Sequence, residues 1–250
     1  MLHYKRCGSG PPLVLVHGFL GGIEEWDDLA AHFVPSFDVI AVDLPGFGGS
    51  AAIPAPATLT GDADLVVEVL DALDIKRCML LGHSLGSMIA QQFALDHRHR
   101  VERLVLYGAA STGNLPGRFE TFDATIDRFE RVGIAEGAEA IIASWFVAGR
   151  SHPACQTYRR MAEAARTDTA VATLRAIAQW QVTDRLGSID APTLVIGGDR
   201  DHSTEPAEQF RLWRALPFGQ LCILPNCAHA AHLEQPKIFH ELLSRFLAEA

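Results

Sequence analysis

The chain has 250 residues, of which 48% are hydrophobic and 20% are charged, which is typical of one large soluble domain that buries its core without disulfides. Its net charge of −9 makes nucleic acid and an anionic membrane surface poor partners. No stretch approaches the roughly 20 apolar residues of a membrane span, and the first twelve residues lack the apolar core of a signal peptide. Five cysteines without a C-x-x-C pair indicate a reducing compartment, so we expect a cytoplasmic protein.

Short apolar runs that predict buried strands alternate along the chain with amphipathic stretches that predict helices. The predicted strands are residues 13–18, 38–43, 78–82, 103–108, 193–198 and 221–225. The predicted helices between and after them are residues 62–73, 87–97, 206–216 and 236–249. This alternation is typical of parallel βαβ units, so the expected fold class is α/β with a doubly wound, mostly parallel sheet.

One long segment interrupts the alternation. Residues 114–186 contain no convincing strand, and helical patterns cover 119–132, 138–149 and 169–180. Over seventy residues are too many for an ordinary connection between two strands. We therefore expect a core domain built from residues 1–113 and 187–250, with a helical cap inserted at 114–186.

The junction of a predicted strand and a predicted helix carries the sequence LGHSLGS, in which Gly82, Ser84 and Gly86 form a G-x-S-x-G pattern. In a strand–turn–helix context this pattern holds a serine on a sharp bend above the sheet. Glycine is needed two residues to either side because a side chain there would clash with a neighbouring strand or helix. The pattern predicts that Ser84 is a nucleophile, although a plain turn would also accommodate it.

A serine nucleophile needs a base and an acid, and on such a sheet they follow it in the order Ser, Asp, His. Asp201 follows the strand 193–198, and His229 follows the strand 221–225. Both positions lie just beyond the carboxyl end of a strand, where ligand chemistry collects in open α/β sheets. We expect His229 to take the serine proton and Asp201 to hold the imidazole in the required tautomer.

Over nearly its whole length the sequence resembles the α/β-hydrolase fold family. The resemblance lies in HGF (17–19), DLPGFGGS (43–50), GHSLG (82–86), GGDRD (197–201) and HAAHLEQP (229–236). It implies a sheet of about seven strands, without the family's outermost N-terminal strand, and a cap after the family's sixth strand. It also implies an oxyanion hole formed by the backbone N–H groups of Phe19 and Leu85.

Several side chains compete for the predicted roles. The resemblance favours Asp201 over Asp199 as the acid, and His229 over His232 as the base, because the family pattern of His, four residues, Glu, one residue and Pro begins at His229. Asp43 is expected to order its own loop. His17 is expected to support the oxyanion loop, and His83 flanks the serine.

The sequence therefore indicates a serine hydrolase that cleaves a carboxylic ester, thioester or lactone through an acyl-enzyme on Ser84. We expect a small-molecule acyl substrate, an apolar one, and neither cofactor nor metal; the sequence does not indicate an oligomeric state. Trp145 and Phe146 in the cap are candidates for lining the substrate pocket, and packing within the cap is the alternative.

Other substrates and functions stay open. The stretch from Gly197 to Pro206 also resembles enol-lactonases, whose acidic substrates would require pocket arginines; the candidates are Arg118, Arg128, Arg150 and Arg159. A carbon–carbon bond hydrolase would use the same triad, but those enzymes usually have tryptophan where this chain has Ala230. A cofactor-free haloperoxidase or perhydrolase is a further alternative, and so is a ligand receptor with slow turnover.

Overall fold

The computed structural model describes residues 1–115 and 120–248. Seven strands form one sheet, and their bounds are β1 Tyr4–Gly8, β2 Pro12–Val16, β3 Asp38–Val42, β4 Cys78–His83, β5 Val101–Tyr107, β6 Thr193–Gly198 and β7 Gly219–Leu224. Their order in the sheet is β1-β3-β2-β4-β5-β6-β7. Neighbouring strands pair in parallel except β1, which runs antiparallel to β3. The mostly parallel α/β sheet expected from the sequence is confirmed.

Helices cover both faces of this sheet. Those in the core are α1 Asp27–Phe33, α2 Leu59–Ala72, α3 Leu85–Asp96, α8 Pro206–Ala215, α9 Ala231–Glu234 and α10 Pro236–Ala248. Helices α1 and α10 contribute buried side chains to one apolar cluster, and α2, α3 and α8 contribute to the other. The fold is therefore doubly wound, with two hydrophobic layers separated by the sheet.

Strand β2 shows how the sequence specifies this two-sided burial. Val14 and Val16 belong to one apolar cluster, whereas Leu13 and Leu15 belong to the other. Successive side chains of a strand point to opposite faces, so a continuous run of apolar residues supplies both layers at once. All four side chains are fully buried.

The seventh strand is β1, which the apolar-run analysis did not predict as a strand. Its residues, YKRCG, are mostly exposed, and it pairs along one edge only, with Tyr4 opposite Val42 and Gly8 opposite Asp38. An edge strand of this kind carries no buried apolar run by which a sequence would reveal it. The bidentate contact of Arg6 with Asp38, at 2.7 to 3.1 Å, ties the middle of β1 to the start of β3.

Between β5 and β6 the described residues form four α-helices, which we call the inserted helices: α4 Phe122–Gly137, α5 Glu139–Ser144, α6 Cys155–Ala164 and α7 Thr167–Gln179. Helix α4 is interrupted at Gly133, where φ is 77°. The chain enters and leaves the insertion side by side, since Thr112 bridges Gln181, Gly113 N donates to Trp180 O and Val182 N donates to Ser111 O. The predicted helix at 119–132 begins at Phe119, outside the described residues.

Within the described residues, no helix combines the length and the apolar character needed to cross a bilayer.

Candidate active site

Ser84 lies at the junction of β4 and α3, in a backbone conformation with φ of 52° and ψ of −113°. A non-glycine residue with positive φ is strained, and strain of this kind is retained where the surrounding structure enforces it. The amide of Ser84 donates to Tyr107 O at 2.8 Å, and Ser87 Oγ donates to Ser84 O at 2.6 Å. The bend leaves the Ser84 side chain partly exposed, although its neighbours are buried.

The two flanking glycines are required by close backbone approaches. A side chain on Gly82 would overlap the carbonyl group of Gly86, in the first turn of α3. A side chain on Gly86 would overlap the carbonyl oxygen of Val16, in the neighbouring strand β2. Both clashes are with backbone atoms, which cannot rotate away, so the glycines allow the serine turn to pack against the sheet.

His229 and Asp201 meet on the loops that follow β7 and β6. His229 Nδ1 lies 2.8 Å from Asp201 Oδ2, and both residues are 2% exposed. The other carboxylate oxygen, Oδ1, accepts hydrogen bonds from Ser203 N at 2.8 Å and Thr204 N at 2.9 Å. With one oxygen held by two amides, the second is fixed in direction toward the imidazole, which leaves Nε2 of His229 free for other chemistry.

The competing residues take other positions. Asp199 Oδ1 accepts from Cys227 N at 3.2 Å and so joins the two loops. Asp43 accepts from Ile23 N at 2.9 Å and Gly49 N at 2.8 Å, which orders the loop after β3. His232 is buried beside Tyr107, with its Nδ1 3.1 Å from the Tyr107 hydroxyl.

A cavity of about 560 Å³, part of it open to solvent, lies over Ser84 and is lined by both Ser84 and His229. No hydrogen bond joins these two side chains within the described structure, and such contacts often tighten only when substrate binds. The rest of the described lining is mostly apolar: Phe19, Leu85, Met88, Leu115, Phe122, Ile141, Trp145, Leu174, Ile177, with Ser203 and Thr204. Ser203 Oγ is buried without a hydrogen-bond partner among the described residues.

The backbone amides of Phe19 and Leu85 flank the serine. Leu85 begins α3, and the first amides of a helix have no partner within the helix. The loop carrying Phe19 packs on the sharp turn around Ser84, which we call the elbow, since a β-carbon on Gly18 would lie 3.3 Å from Ser84 Cβ. Among the described residues neither amide is used in a hydrogen bond, so both remain available to an oxygen bound near Ser84.

The two aromatic residues predicted to line the pocket, Trp145 and Phe146, lie in different environments. Trp145 lines the cavity, and its indole also packs edge-on against Tyr158 at 5.1 Å between ring centroids. Phe146 is not part of the described lining; its ring stacks on His152 at 4.2 Å. Substrate contact by either residue stays a prediction, and the structure gives Trp145 the position from which to make it.

The candidate pocket arginines in the described structure are engaged elsewhere. Arg128 pairs with Glu120, while Arg150 and Arg159 both pair with Glu139, at 3.3 and 2.7 Å. None of these three lines the cavity over Ser84. Arg118 lies outside the described residues.

The sequence did not reveal a buried acid, Glu25, that contacts His83, the residue before Ser84. Glu25, in a single helical turn at Ile23–Trp26, places Oε1 2.9 Å from His83 Nδ1. His83 Nε2 lies 3.1 Å from the backbone oxygen of His229, which also accepts from the Tyr107 hydroxyl at 2.7 Å. The stretch IEEWDD reads as a solvated helix start, so only the distant partner at position 83 reveals the role of Glu25.

Burial is the largest single influence on the pKa values of the ionisable side chains Tyr107, His232 and Glu25. It raises the pKa of the Tyr107 phenol far above its usual value, which keeps the hydroxyl protonated. It also lowers the pKa of His232 to about 3, so this imidazole is neutral at pH 7. For Glu25, burial raises the pKa, but the charge and the hydrogen bond of His83 outweigh it, and the net pKa is lowered.

Comparison with known proteins identifies the family. The profile of the alpha/beta hydrolase fold matches residues 11–236. A protein of Variovorax paradoxus named "Putative carbamate hydrolase RutD" is 32% identical over 256 residues, covering 99% of this chain and 96% of that protein. Two solved structures superpose closely: a hydrolase from Pseudomonas aeruginosa (TM-score 0.91, 28% identity, 99% and 94% coverage) and a thermophilic esterase from Thermogutta terrifontis (TM-score 0.89, 29% identity, 98% and 92% coverage).

The chain belongs to the alpha/beta hydrolase fold family, as its motifs suggested. Several relatives that match over nearly the whole chain carry hydrolase names, and the chain is an enzyme of the hydrolase class.

Proposed function

We propose that this protein is a serine hydrolase that cleaves a carboxylic ester, thioester or lactone by way of an acyl-enzyme on Ser84. The observation that carries the proposal is the meeting of Ser84 with the His229–Asp201 pair at one cavity, on three loops that follow three different strands. Strand ends of a parallel sheet bring such residues together from distant parts of the chain.

In the proposed reaction, His229 Nε2 takes the proton of Ser84 as Oγ forms a bond to the substrate carbonyl carbon. The resulting imidazolium is stabilised by Asp201, which lies 2.8 Å from Nδ1. The same proton passes to the leaving oxygen or sulfur as its bond to carbon breaks. Water, deprotonated by His229, then attacks the acyl carbon. The bond from this carbon to Ser84 Oγ breaks, His229 returns the proton to Oγ, and the acid is released.

The amides of Phe19 and Leu85 are the proposed oxyanion hole. They are unused by the described protein and lie on either side of the nucleophile. The negative charge that develops on the carbonyl oxygen would be held by these two donors, each worth about 3 kcal/mol of transition-state stabilisation in comparable sites.

The described lining of the cavity favours a neutral, largely apolar acyl compound. Apart from His229 it carries no ionisable side chain, and three of the candidate arginines are held by glutamates. An acidic substrate would lose solvation there without gaining a counter-charge. Carbamate esters are included in the proposed range because several relatives bear carbamate hydrolase names.

We further propose that residues 114–186 act as a cap that selects the substrate, on a core of residues 1–113 and 187–250. Six described lining residues come from this segment: Leu115, Phe122, Ile141, Trp145, Leu174 and Ile177. Leu174 and Ile177 are three residues apart on α7, as expected for one face of a helix turned to the cavity. Selectivity then resides in the cap, while the chemistry resides in the loops of the core.

The test combines a covalent probe with a substrate panel. A fluorophosphonate should label the wild type at Ser84, and Ser84→Ala should abolish both labelling and turnover without changing the circular dichroism spectrum. The panel contains 4-nitrophenyl acetate, butyrate and hexanoate, a neutral lactone, an enol-lactone with a carboxylate, a ring-cleavage dienone and a carbamate ester.

We expect multiple turnover on the neutral esters or the lactone and little on the acidic enol-lactone. Labelling at Ser87 or Ser111, or full turnover by Ser84→Ala, would overturn the proposal. Preference for the dienone would identify a carbon–carbon bond hydrolase, and a single turnover per protein would identify a receptor.

A further inference from the structure

We propose that Glu25 and His83 form a positioning pair that holds the backbone of His229 in place relative to Ser84. The inference rests on the proposed function, because it assigns His229 the role of base. It concerns two residues outside the Ser–His–Asp set, one of which immediately precedes the nucleophile in sequence.

The contacts form a chain that runs from the oxyanion loop to the base. Glu25 Oε1 lies 2.9 Å from His83 Nδ1, and His83 Nε2 lies 3.1 Å from His229 O. The side chains of Glu25 and His83 are 0% and 3% exposed. A β-carbon on Gly18 would lie 3.1 Å from His83 Nδ1, so the oxyanion loop passes directly over the pair.

The hydrogen-bond partners determine how many protons the pair carries. A backbone carbonyl oxygen can only accept, so His83 Nε2 must bear a hydrogen to bond His229 O. One more proton lies between Nδ1 and Glu25 Oε1, whichever of the two atoms holds it. The pair is therefore neutral as a whole, which makes its complete burial tolerable, and its one outward-directed donor is the N–H aimed at His229.

A second donor reinforces this direction. The Tyr107 hydroxyl also donates to His229 O at 2.7 Å, and the His83 ring stacks on the Tyr107 ring at 4.4 Å between centroids. Two donors on one carbonyl fix the orientation of the peptide group after His229. Since Asp201 fixes the imidazole at Nδ1, the base is held at both its backbone and its ring.

The expected consequence of loosening the backbone end is lower turnover rather than weaker binding. Neither Glu25 nor His83 lines the cavity over Ser84, so substrate affinity has no direct dependence on them. Misplacing a catalytic group by about 1 Å can cost on the order of 100-fold in rate. A residue with a purely structural role would instead lower the thermal stability and leave kcat per folded molecule unchanged.

Two substitutions of His83 separate these roles. The amide of His83→Gln can place a donor near the position of Nε2, whereas the shorter side chain of His83→Asn reaches Glu25 and falls short of His229 O. We expect kcat of His83→Asn on 4-nitrophenyl butyrate to fall about 10- to 100-fold with KM changed less than about twofold. We expect kcat of His83→Gln to exceed that of His83→Asn by about tenfold, even where its melting temperature is lower.

Two substitutions of Glu25 are compared with one substitution of the adjacent Glu24. Glu25→Leu removes the partner of Nδ1 and should lower kcat, while the amide of Glu25→Gln can donate to Nδ1 and keep Nε2 protonated, so its kcat should be at least about fivefold higher than that of Glu25→Leu. Glu24→Leu is the matched control: this side chain is 55% exposed and lies 3.7 Å from Arg160. If Glu25→Leu does not fold, the two His83 variants still decide the question.

Equal losses of kcat in both His83 variants, or kcat of His83→Asn within threefold of the wild type, would overturn the positioning role. Loss of activity that follows the melting temperature across all variants would do the same. These results are distinct from failure of the proposed function, which would appear as hydrolysis by Ser84→Ala. All variants are compared with the full-length wild type at pH 8.

Discussion

His232 makes the stability of this protein sensitive to acid. Its imidazole is 2% exposed, and it lies against Trp26 and Phe239 at 5.3 and 5.9 Å between ring centroids. Burial lowers its pKa from 6.5 to about 3, and the nearby carboxylate of Glu25 offsets this only partly. Nε2 has no hydrogen-bond partner among the described residues, so protonation there would create an unpaired buried charge.

Whether acid stabilises or destabilises the fold depends on which state, folded or unfolded, binds the proton at His232. Below pH 6.5 the unfolded chain binds a proton at this position, while the folded chain does not until about pH 3. The contribution to stability is therefore complete above pH 6.5 and is lost as the pH falls toward 3. Between pH 7.5 and pH 4.5 its loss is expected to reduce the free energy of unfolding by about 3 kcal/mol.

Urea unfolding of the wild type and of His232→Asn at pH 7.5 and pH 4.5 tests this expected change in the free energy of unfolding. The shorter amide can still donate to the Tyr107 hydroxyl but does not titrate. We expect the variant to be less stable at pH 7.5 and to lose about 3 kcal/mol less than the wild type on acidification. His99→Asn, at an exposed histidine, is the control. The same loss in wild type and His232→Asn would refute the reasoning.

Three further predictions concern Asp201 beside the proposed base, Trp145 in the proposed cap, and the buried carboxyl group of Asp62. Asp201→Asn should lower kcat by about 10⁴ with KM little changed, while Asp199→Asn stays near wild type in the same ester assay; the reverse result would reassign the acid. Trp145→Ala should shift the preferred acyl chain of 4-nitrophenyl esters to greater length, since each buried methylene is worth about 0.8 kcal/mol, and an equal loss on every ester with a lowered melting temperature would place Trp145 in the packing alone. Burial raises the pKa of Asp62 on α2 to about 7, so its contribution to stability is present below pH 3.8 and is lost as the pH rises through 7. Denaturant unfolding should show the wild type losing about 4 kcal/mol between pH 4 and pH 9, and Asp62→Asn should not show this loss.

The sequence reveals those parts of the site that are encoded locally. The elbow around Ser84 is visible because its glycines, strand and helix are contiguous. Strands β2 to β6 are visible because they are apolar and mostly buried, and β7 is visible by its apolar run although it lies at the sheet edge and is only partly buried. The relation of Asp201 to His229 was predictable from their positions after strands, since parallel strands end at one edge of the sheet.

What the sequence did not reveal depends on contacts between distant positions. Glu25 and His83 are 58 residues apart, and each alone resembles an ordinary surface acid or a histidine of unknown orientation. Phe146 and Trp145 are adjacent in the chain, yet of the two only Trp145 lines the cavity. Both follow the end of α5 at Ser144, and a helical pattern does not give the direction of side chains beyond the helix end. Strand β1 was missed for a different reason: an exposed edge lacks the apolar alternation on which strand prediction depends.

The loop that carries His229 is hydrogen-bonded directly to the segment that follows α5, at residues 145–147. Ala230 N donates to Trp145 O at 2.9 Å, and the carboxylate of Glu234 accepts from both Val147 N and Ala228 N, at 2.7 and 2.6 Å. A chimera in which the proposed cap is replaced by that of a relative would therefore remove part of the scaffold of the proposed base along with the proposed substrate pocket. Recombination between such enzymes is expected to succeed when the crossover retains residues 145–147 with the core, and to yield folded but slow enzymes when it does not.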